Sequence, residues 1–302
     1  MKTEWPVLVY DDAKATYETL HLWTQVIGKI KLSKMPWINH SWHVPLFVTP
    51  TGLTTLDLQE EGQHFQIDFD LLQHQLRIIT STGQIRTFAL EGLSVADFYE
   101  KVVRTLQELD IPVNIYRIPN EIPNAIPFDE DNTHATYQPK HATALHKALL
   151  NAQDVLTQFR AGFKGKCSPV HFFWGSFDLA VTRFSGREAP PHPGGIPNLP
   201  DRVVQEAYSH EVSSCGFWPG NDAVPFAAFY SYIYPEPAGY KNAKVKPDEA
   251  YYHPELGEFI LPYKVVQQAA NPAATLLEFL QSTYEAAADL GRWDRKLLEN
   301  NP

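Results

Sequence analysis

The fold class is indicated by residues 65–90, which read FQIDFDLLQHQLRIITSTGQIRTFAL. Phe65, Ile67 and Phe69 alternate with polar residues, which is the pattern of a strand with one buried face. Two further strand-like runs follow, and the Ser-Thr-Gly sequence at 81–83 is typical of the turn between them. Strands joined by such short turns pair antiparallel, so an antiparallel meander of about four or five strands is predicted.

Helices are predicted on both sides of this meander. Apolar residues recur at helical spacing over residues 12–32, and Ser94 with Asp97 forms a capping-box pattern that opens a second helix. The later chain repeats this order, with a helix near 140–163, then strands, then a last helix capped by Asn271. The sequence therefore predicts an α+β fold, with antiparallel sheets flanked by helices and two similar helix–hairpin–helix halves packed together.

A proline-rich segment separates the two halves. Residues 1–118 are predicted to form an N-terminal α+β half, and residues 140–302 are predicted to form a C-terminal α+β half. Three Ile-Pro steps fall near or within residues 119–139, which predicts a linker. Residues 185–225 are rich in glycine and proline and predict a long irregular excursion with one short helix. Short strands are also predicted over residues 42–48 and 113–117.

The composition favours a folded protein and excludes several partners. Hydrophobic residues make up 44% of the 302 residues, which is far from a disordered composition. The 35 acidic residues exceed the 25 basic ones, and the formal net charge of −10 repels nucleic-acid phosphates. No apolar run approaches the ~20 residues of a membrane span, and the first ten residues lack a signal-peptide core. With only two cysteines, a cytoplasmic protein without nucleic-acid or membrane partners is expected, and its oligomeric state stays open.

The densest run of unusual residues is 168–187, which reads SPVHFFWGSFDLAVTRFSGR. His171, Asp178 and Arg183 are more polar than a buried strand pair tolerates without partners, so they are candidate catalytic residues. A period of two places Asp178 and Arg183 on opposite faces of their strand, so all three converge only if a bulge intervenes. The alternative is that they are buried structural hydrogen-bonding groups.

A second cluster lies at 208–220, where His210 and Glu211 stand beside small polar residues and a Pro-Gly turn. Such a pair can supply a general base or a metal ligand, and His210, Glu211 and His171 are the leading acid–base candidates. The zinc signature H-E-x-x-H is incomplete, because serines occupy the positions where its second histidine would fall.

Histidines also stand at the start of the first predicted strand. Asn39 and His40 precede His43 there, and two histidines three residues apart can share a metal ion from a turn. A divalent metal held by His40 and His43, together with His210 or Glu211, is therefore one alternative for the site.

Aromatic residues indicate a different kind of site. Tyr230 and Tyr232 alternate on one strand face. With Trp174 and Trp218 they can form the floor of a pocket for a sugar or another polar ring. The alternative is a set of core aromatic residues whose hydroxyl groups are satisfied.

Polar side chains on the first helix and just after it are further ligand-binding candidates. His21 and Gln25 lie one helical turn apart and form a polar stripe on that helix. Asn39 is a second candidate, because it precedes the paired histidines. The alternative for the helix is a half-exposed face.

Seven sequence segments are specific enough to carry a family resemblance. They are LHLW at 20–23 with GK at 28–29, NH at 39–40 with WHV at 42–44, GLTT at 52–55, residues 168–187, residues 208–220, YPEP at 234–237 and QSTY at 281–284. On these segments the chain resembles, over nearly its full length, a bacterial family of uncharacterised proteins known as a domain of unknown function. The resemblance implies one family unit without appended domains, and it implies no activity, substrate or catalytic residue.

Three functions follow from these observations. The first is an enzyme that acts on a small polar metabolite in a cleft between the halves. The second is a non-catalytic protein that binds a small ring or sugar, and the third is a structural or partner-binding protein. Convergence of His40, His43, His171 and His210 would favour the enzyme, whereas scattered histidines beside an aromatic pocket would favour binding.

Overall fold

The computed structural model describes residues 4–300 and confirms the predicted α+β class. The described residues form seven α-helices and two antiparallel sheets of six strands each. No helix in this part of the chain has the length and apolar character needed to cross a membrane. The helices are α1 (Tyr10–Lys34), α2 (Val95–Gln107), α3 (Pro139–Ala161), α4 (Asp201–Ala207), α5 (Tyr263–Gln268), α6 (Pro272–Leu290) and α7 (Arg295–Leu298).

The first sheet lies in the N-terminal half. Its spatial order is β1-β2-β4-β5-β6, with β3 also paired to β4, so the predicted antiparallel meander is confirmed. Phe69 on the buried face of β4 stacks on Phe98 of α2, with ring centroids 5.9 Å apart. The capping box of Ser94 and Asp97 at the start of α2 is formed as predicted. The strands are β1 (Phe47–Thr49), β2 (Gly52–Thr54), β3 (Leu58–Glu60), β4 (Gln63–Asp70), β5 (Gln75–Thr80) and β6 (Ile85–Ala89).

The second sheet lies in the C-terminal half, in the order β11-β12-β10-β9-β8-β7. Helices α3 and α6 pack against this sheet. Asn271 caps α6 as predicted, since its side chain accepts a hydrogen bond from Ala274 N. The similarity of the two halves stays a prediction. The strands are β7 (His171–Phe173), β8 (Asp178–Glu188), β9 (His210–Trp218), β10 (Ala228–Tyr234), β11 (Tyr251–His253) and β12 (Glu258–Pro262).

One prediction for this half is wrong. Residues 185–225 are not a single irregular excursion, because β9 lies inside the second sheet between β8 and β10. The sequence of β9, HEVSSCGFW, lacks the apolar alternation that predicts a strand. A small residue is required at Gly216, where a Cβ would overlap the Leu179 carbonyl and the Tyr230 hydroxyl.

The two short strands predicted at 42–48 and 113–117 are also corrected. The first begins only at Phe47, because the two carbonyl groups before Leu46 accept hydrogen bonds from side chains. Trp174 Nε1 donates to one at 3.0 Å, and Lys31 Nζ donates to the other at 2.7 Å. Backbone groups satisfied in this way need no strand partner. Residues 113–117 form no strand and pair with neither sheet.

The two halves share one continuous hydrophobic core. It includes Trp23 of α1, Phe69 of the first sheet and Phe217 of the second. The halves are also joined through the backbone, because Leu46 and Phe172 exchange two hydrogen bonds of 2.9 and 2.8 Å. The domain boundaries at 118 and 140 therefore stay a prediction from composition.

The indole of Trp174 joins three parts of the molecule. It packs on Gly28 of α1, where a Cβ would overlap the ring. Its Nε1 donates to the Val44 carbonyl, just before β1. Trp174 itself follows β7 in the second sheet. Helix α1, the segment before β1 and the second sheet therefore meet at one side chain.

Gly28→Ala is expected to lower the free energy of unfolding by about 1–3 kcal/mol, because the added Cβ overlaps the Trp174 indole. The overlap acts against the intrinsic preference of a helix for alanine, which is worth about 1 kcal/mol. Ala15→Gly, at an exposed position of the same helix, measures that preference alone. Urea denaturation of both variants is the measurement, and a Gly28→Ala protein at least as stable as the parent would contradict the packing.

Candidate functional site

A cavity of about 560 Å³ lies where the two halves meet. Its floor is one face of the second sheet. Its walls come from the segment after α1, residues 120–121, the β7–β8 turn and α4. Most of its lining is apolar or aromatic, with a few polar groups, which is the usual construction of a small-molecule site.

The floor is a layer of hydroxyl groups on three neighbouring strands. Thr182, Ser214 and Tyr232 lie in register on β8, β9 and β10 and so share one face. Thr182 Oγ1 and Ser214 Oγ are hydrogen bonded at 2.8 Å, and the hydroxyl groups of Tyr232 and Tyr208 are hydrogen bonded at 2.7 Å. Tyr230 stacks beside Tyr232 with ring centroids 6.2 Å apart, and both tyrosines line the cavity.

Asp178 is the more deeply buried of the two carboxyl groups that line the cavity, with 7% of the residue exposed. Ser176 Oγ donates to its Oδ1 at 2.6 Å, and the Tyr230 hydroxyl donates to its Oδ2 in a short hydrogen bond. Burial raises the pKa of Asp178, although these two hydrogen bonds oppose the rise. A carboxyl group is thus held in a fixed orientation at the floor.

Glu121 reaches the same cavity from the predicted linker. Its φ of 63° is a left-handed conformation that residues with a side chain rarely adopt. Its carboxyl group lies against Gly175, where a Cβ would overlap Oε1. Burial, followed by the charge of Asp178, raises the pKa of Glu121 to about 7. A group with this pKa can take up or release a proton near neutral pH.

A polar stripe on α1 holds Glu121 in place. His21 Nε2 donates to the carbonyl oxygen of the β7–β8 turn at 2.8 Å. Gln25 donates to the Asn120 carbonyl at 2.9 Å and accepts from Asn120 N at 2.7 Å. Lys29 Nζ donates to the Asn120 side chain and, at 2.7 Å, to the backbone carbonyl two residues earlier. Because these side chains are spaced four residues apart, one helix face fixes the segment that carries Glu121.

A third carboxyl group, that of Glu258, lies at the start of β12. Burial, followed by the charge of Asp178, raises the pKa of Glu258 to about 8. Burial also raises the pKa of Tyr230 and Tyr232 well above the ordinary value, and the charge of Glu258 adds to the rise. The acidic groups around the floor therefore oppose one another's ionisation.

The four histidines considered together in the sequence do not meet at one point. His171 is fully buried against Phe173, with ring centroids 4.5 Å apart, and burial lowers its pKa to about 3. His43 Nδ1 forms a hydrogen bond with the Ile38 backbone, either from the Ile38 N–H at 3.1 Å or to the Ile38 carbonyl at 3.2 Å according to the tautomer. His40 and His210 lie 6.0 Å apart between ring centroids, and His40 lines the cavity. The four histidines therefore do not form one shared site.

No three His, Cys, Asp or Glu side chains within residues 4–300 are placed to hold a metal ion. Instead, His40 Nε2 accepts a hydrogen bond from Lys166 Nζ at 2.6 Å, and His40 Nδ1 donates to the Ala207 carbonyl at 3.1 Å. Both ring nitrogens of His40 are thereby engaged. The metal alternative for His40 and His43 finds no ligand set in the described chain.

Other predicted site residues make contacts outside the cavity. Arg183 lies on the opposite face of β8 from Asp178, where its guanidinium packs over the Phe159 ring at 3.4 Å. Glu211 pairs with Arg187 at 2.6 Å. Four more predicted residues lie outside the cavity lining, namely His21, His210, Asn39, which begins a 3-10 helix, and Trp218, which ends β9.

Sequence analysis missed Glu121 and Glu258. Neither residue belongs to a motif, and Glu258 reads only as the start of a strand. A faint signal exists for Glu121, which is the single charged residue between Pro119 and Pro123.

Asp178→Asn is expected to lower the pKa of both Glu121 and Glu258, because the charge that opposes their ionisation is removed. Carbon-13 carboxyl NMR titration measures both values. Glu211→Gln, which removes a carboxylate paired with Arg187, is the matched control and should leave both unchanged. Unaltered pKa values in Asp178→Asn would contradict the coupling.

The free energy of unfolding is expected to decrease as the pH rises from about 6.5 to about 8. Glu121 and Glu258 keep their protons to higher pH in the folded protein than in the unfolded chain, so unfolding releases protons in this range. Glu258→Gln should reduce the decrease by about 1–2 kcal/mol. Glu255→Gln, at an exposed position, should leave it unchanged. Urea denaturation at several pH values in this range measures the free energy of unfolding of the wild type, Glu258→Gln and Glu255→Gln. If this free energy falls equally with pH in all three proteins, the assignment to Glu258 is wrong.

The match to a protein family extends over nearly the whole described chain. No curated protein matches the chain, and no solved structure matches it. The model described as "Family of unknown function (DUF5996)" matches residues 5–300, which include every residue of the cavity. The resemblance noted in the sequence is thereby confirmed, and the chain belongs to this family of unknown function, DUF5996.

Proposed function

We propose that this protein binds a small organic molecule in the cavity between its two halves. The observation that carries the proposal is the cavity itself, whose volume of about 560 Å³ is typical of sites for small ligands. Aromatic walls would hold the apolar body of the ligand. The hydroxyl layer and Asp178 would hold its polar group.

The fixed geometry of the polar groups supports this function. Ser176 and Tyr230 orient the carboxyl group of Asp178, and the Tyr208–Tyr232 and Thr182–Ser214 hydrogen bonds fix the neighbouring hydroxyl groups. Polar groups that are already oriented lose little conformational entropy when a ligand binds. Recognition by a preformed site therefore fits the structure.

An enzyme acting on a small polar metabolite in the same cleft is the second candidate. It is favoured by Glu121, whose pKa of about 7 is suited to proton transfer. Asp178 would orient the substrate or accept a proton, because Tyr230 and Ser176 hold it in place. In this role Glu121 and Asp178 replace His171, His210 and Glu211 as acid–base residues.

The expected cytoplasmic setting remains part of the proposal. Cys167 and Cys215 are both free thiols in the structure, which fits a reducing compartment. The acidic net charge of −10 supports a small-molecule ligand rather than nucleic acid.

Ligand-observed NMR with a fragment library should identify fragments that bind the wild-type protein and lose binding in Val203→Trp. Val203 of α4 lines the cavity, and the larger side chain would fill part of it. Val203→Thr preserves the shape and should retain binding. Circular dichroism and thermal melting establish that both variants fold. Fragments that bind Val203→Trp as well as wild type would place binding elsewhere and would contradict the proposal.

The enzyme candidate has its own test. A defined mixture of polar metabolites is incubated with wild type and with Glu121→Gln, and conversion is followed by mass spectrometry. Conversion by wild type alone would support acid–base catalysis by Glu121. Conversion that is equal in both proteins would exclude Glu121 from that role.

A further inference from the structure

Asp178 and Glu121 line the cavity, and Glu258 is the third carboxyl group of the same cluster. Within residues 4–300, no lysine or arginine forms an ion pair with Asp178, Glu121 or Glu258. Buried carboxylates are normally paired, because an isolated charge in a low-dielectric site is costly. The acidic groups therefore lack a cationic partner among the described residues.

Three basic groups lie in or beside the cavity, and each has partners other than the carboxyl groups. Lys29 donates to two acceptors on the segment before Glu121. Arg202 also lines the cavity, but it is an exposed residue and its guanidinium lies 5.5 Å from the centroid of the Trp37 ring. His40 is hydrogen bonded through both ring nitrogens. None of these groups neutralises the carboxyl groups at the floor.

A second observation is independent of the acidic groups. Ser41 lines the cavity and is 9% exposed, and its Oγ has no hydrogen-bond partner among the described residues. A buried hydroxyl group without a partner is uncommon in folded proteins. Because this oxygen has almost no accessible surface, its side chain must rotate before the hydroxyl group can donate to, or accept from, a molecule in the cavity.

Aromatic rings line the walls above the acidic floor. Trp42, Trp174 and Phe184 line the cavity, and Tyr230 and Tyr232 lie at its floor. Faces of such rings attract cations. Two of these rings already have a cation of the chain against them, since Lys166 Nζ lies 5.4 Å from the Trp42 ring and 5.0 Å from the Phe184 ring. The walls are therefore suited to a positively charged molecule with an apolar body.

We infer that the ligand class of the cavity is a small organic amine in its protonated form. The inference rests on the proposed binding function and deepens it. The ammonium group would donate hydrogen bonds to Asp178 and Glu121, with the apolar body against the aromatic walls. A carboxylate or phosphate ligand would add like charge to the site and is disfavoured.

The electrostatics of the site agree with this assignment. Burial and the charge of Asp178 raise the pKa of both Glu121 and Glu258, as expected when no cation stabilises their ionised forms. A bound ammonium group would supply the missing positive charge.

The test uses three probes that share one ring and differ in charge. They are tryptamine, its alcohol analogue tryptophol, and indole-3-propionate. Isothermal titration calorimetry at pH 7.5 is expected to show that tryptamine binds at least about tenfold more tightly than tryptophol. A charge-assisted hydrogen bond from the ammonium group contributes enough binding free energy for a difference of this size. Indole-3-propionate is expected to bind most weakly. Stronger or equal binding of tryptophol would overturn the amine assignment while leaving the binding site in place.

Variants of the carboxyl groups make the test specific. Asp178→Asn and Glu121→Gln should each reduce the preference for tryptamine over tryptophol several-fold, and Glu211→Gln should leave it unchanged. Two separate carboxyl variants are used so that a folding defect in one does not remove the test. A preference that persists in both folded variants would overturn the assignment. Binding of none of the probes, or binding that survives in Val203→Trp, would count against the proposed binding site itself.

Discussion

The packing of the Trp174 indole on Gly28 is the contact on which the arrangement of the cavity depends. The ring belongs to the second sheet, whereas Gly28 lies on α1 in the first half. Only a residue without a side chain lets the ring approach the helix so closely. The indole nitrogen then binds the Val44 carbonyl, which fixes the chain leading into β1. One side chain thus sets the distance between the two halves and the width of the space between them.

The same helix also fixes the chemistry of the cavity. His21, Gln25 and Lys29 bind the β7–β8 turn and the segment before Glu121. A backbone hydrogen bond of 2.8 Å from Glu121 N to the Pro197 carbonyl holds the same segment from the other side. The result is a site where Glu121 and Asp178 are close enough for one charge to raise the pKa of the other. Such an arrangement lowers stability near neutral pH, and groups of this kind are concentrated at functional sites.

Much of the fold could be predicted because its signals are local. The alternation in β4, the capping box at Ser94 and the Asn271 cap of α6 each depend on neighbouring residues, and the structure contains all three. The strand β9 could not be predicted, because it lacks apolar alternation and its Gly216 is explained only by the Tyr230 side chain on the adjacent strand. In the candidate site, Asp178, Trp174, Tyr230 and Tyr232 were found from sequence as unusual residues on strands. His171 and His43, which were also predicted from sequence, are buried and lie outside the cavity lining.

The sequence by itself determined the fold class, the position of most helices, the acidic charge and the membership of a family of unknown function. It also determined that Asp178 and Arg183 face opposite sides of one strand, because side chains on a strand alternate. Only the tertiary structure decided which side faces the cavity, and only the tertiary structure placed Glu121 beside Asp178. These two carboxyl groups are 57 residues apart in the chain. No local sequence pattern specifies that the segment carrying Glu121 packs beside Asp178. Burial and the approach of distant charges set their pKa values, and both arise only when the halves pack together.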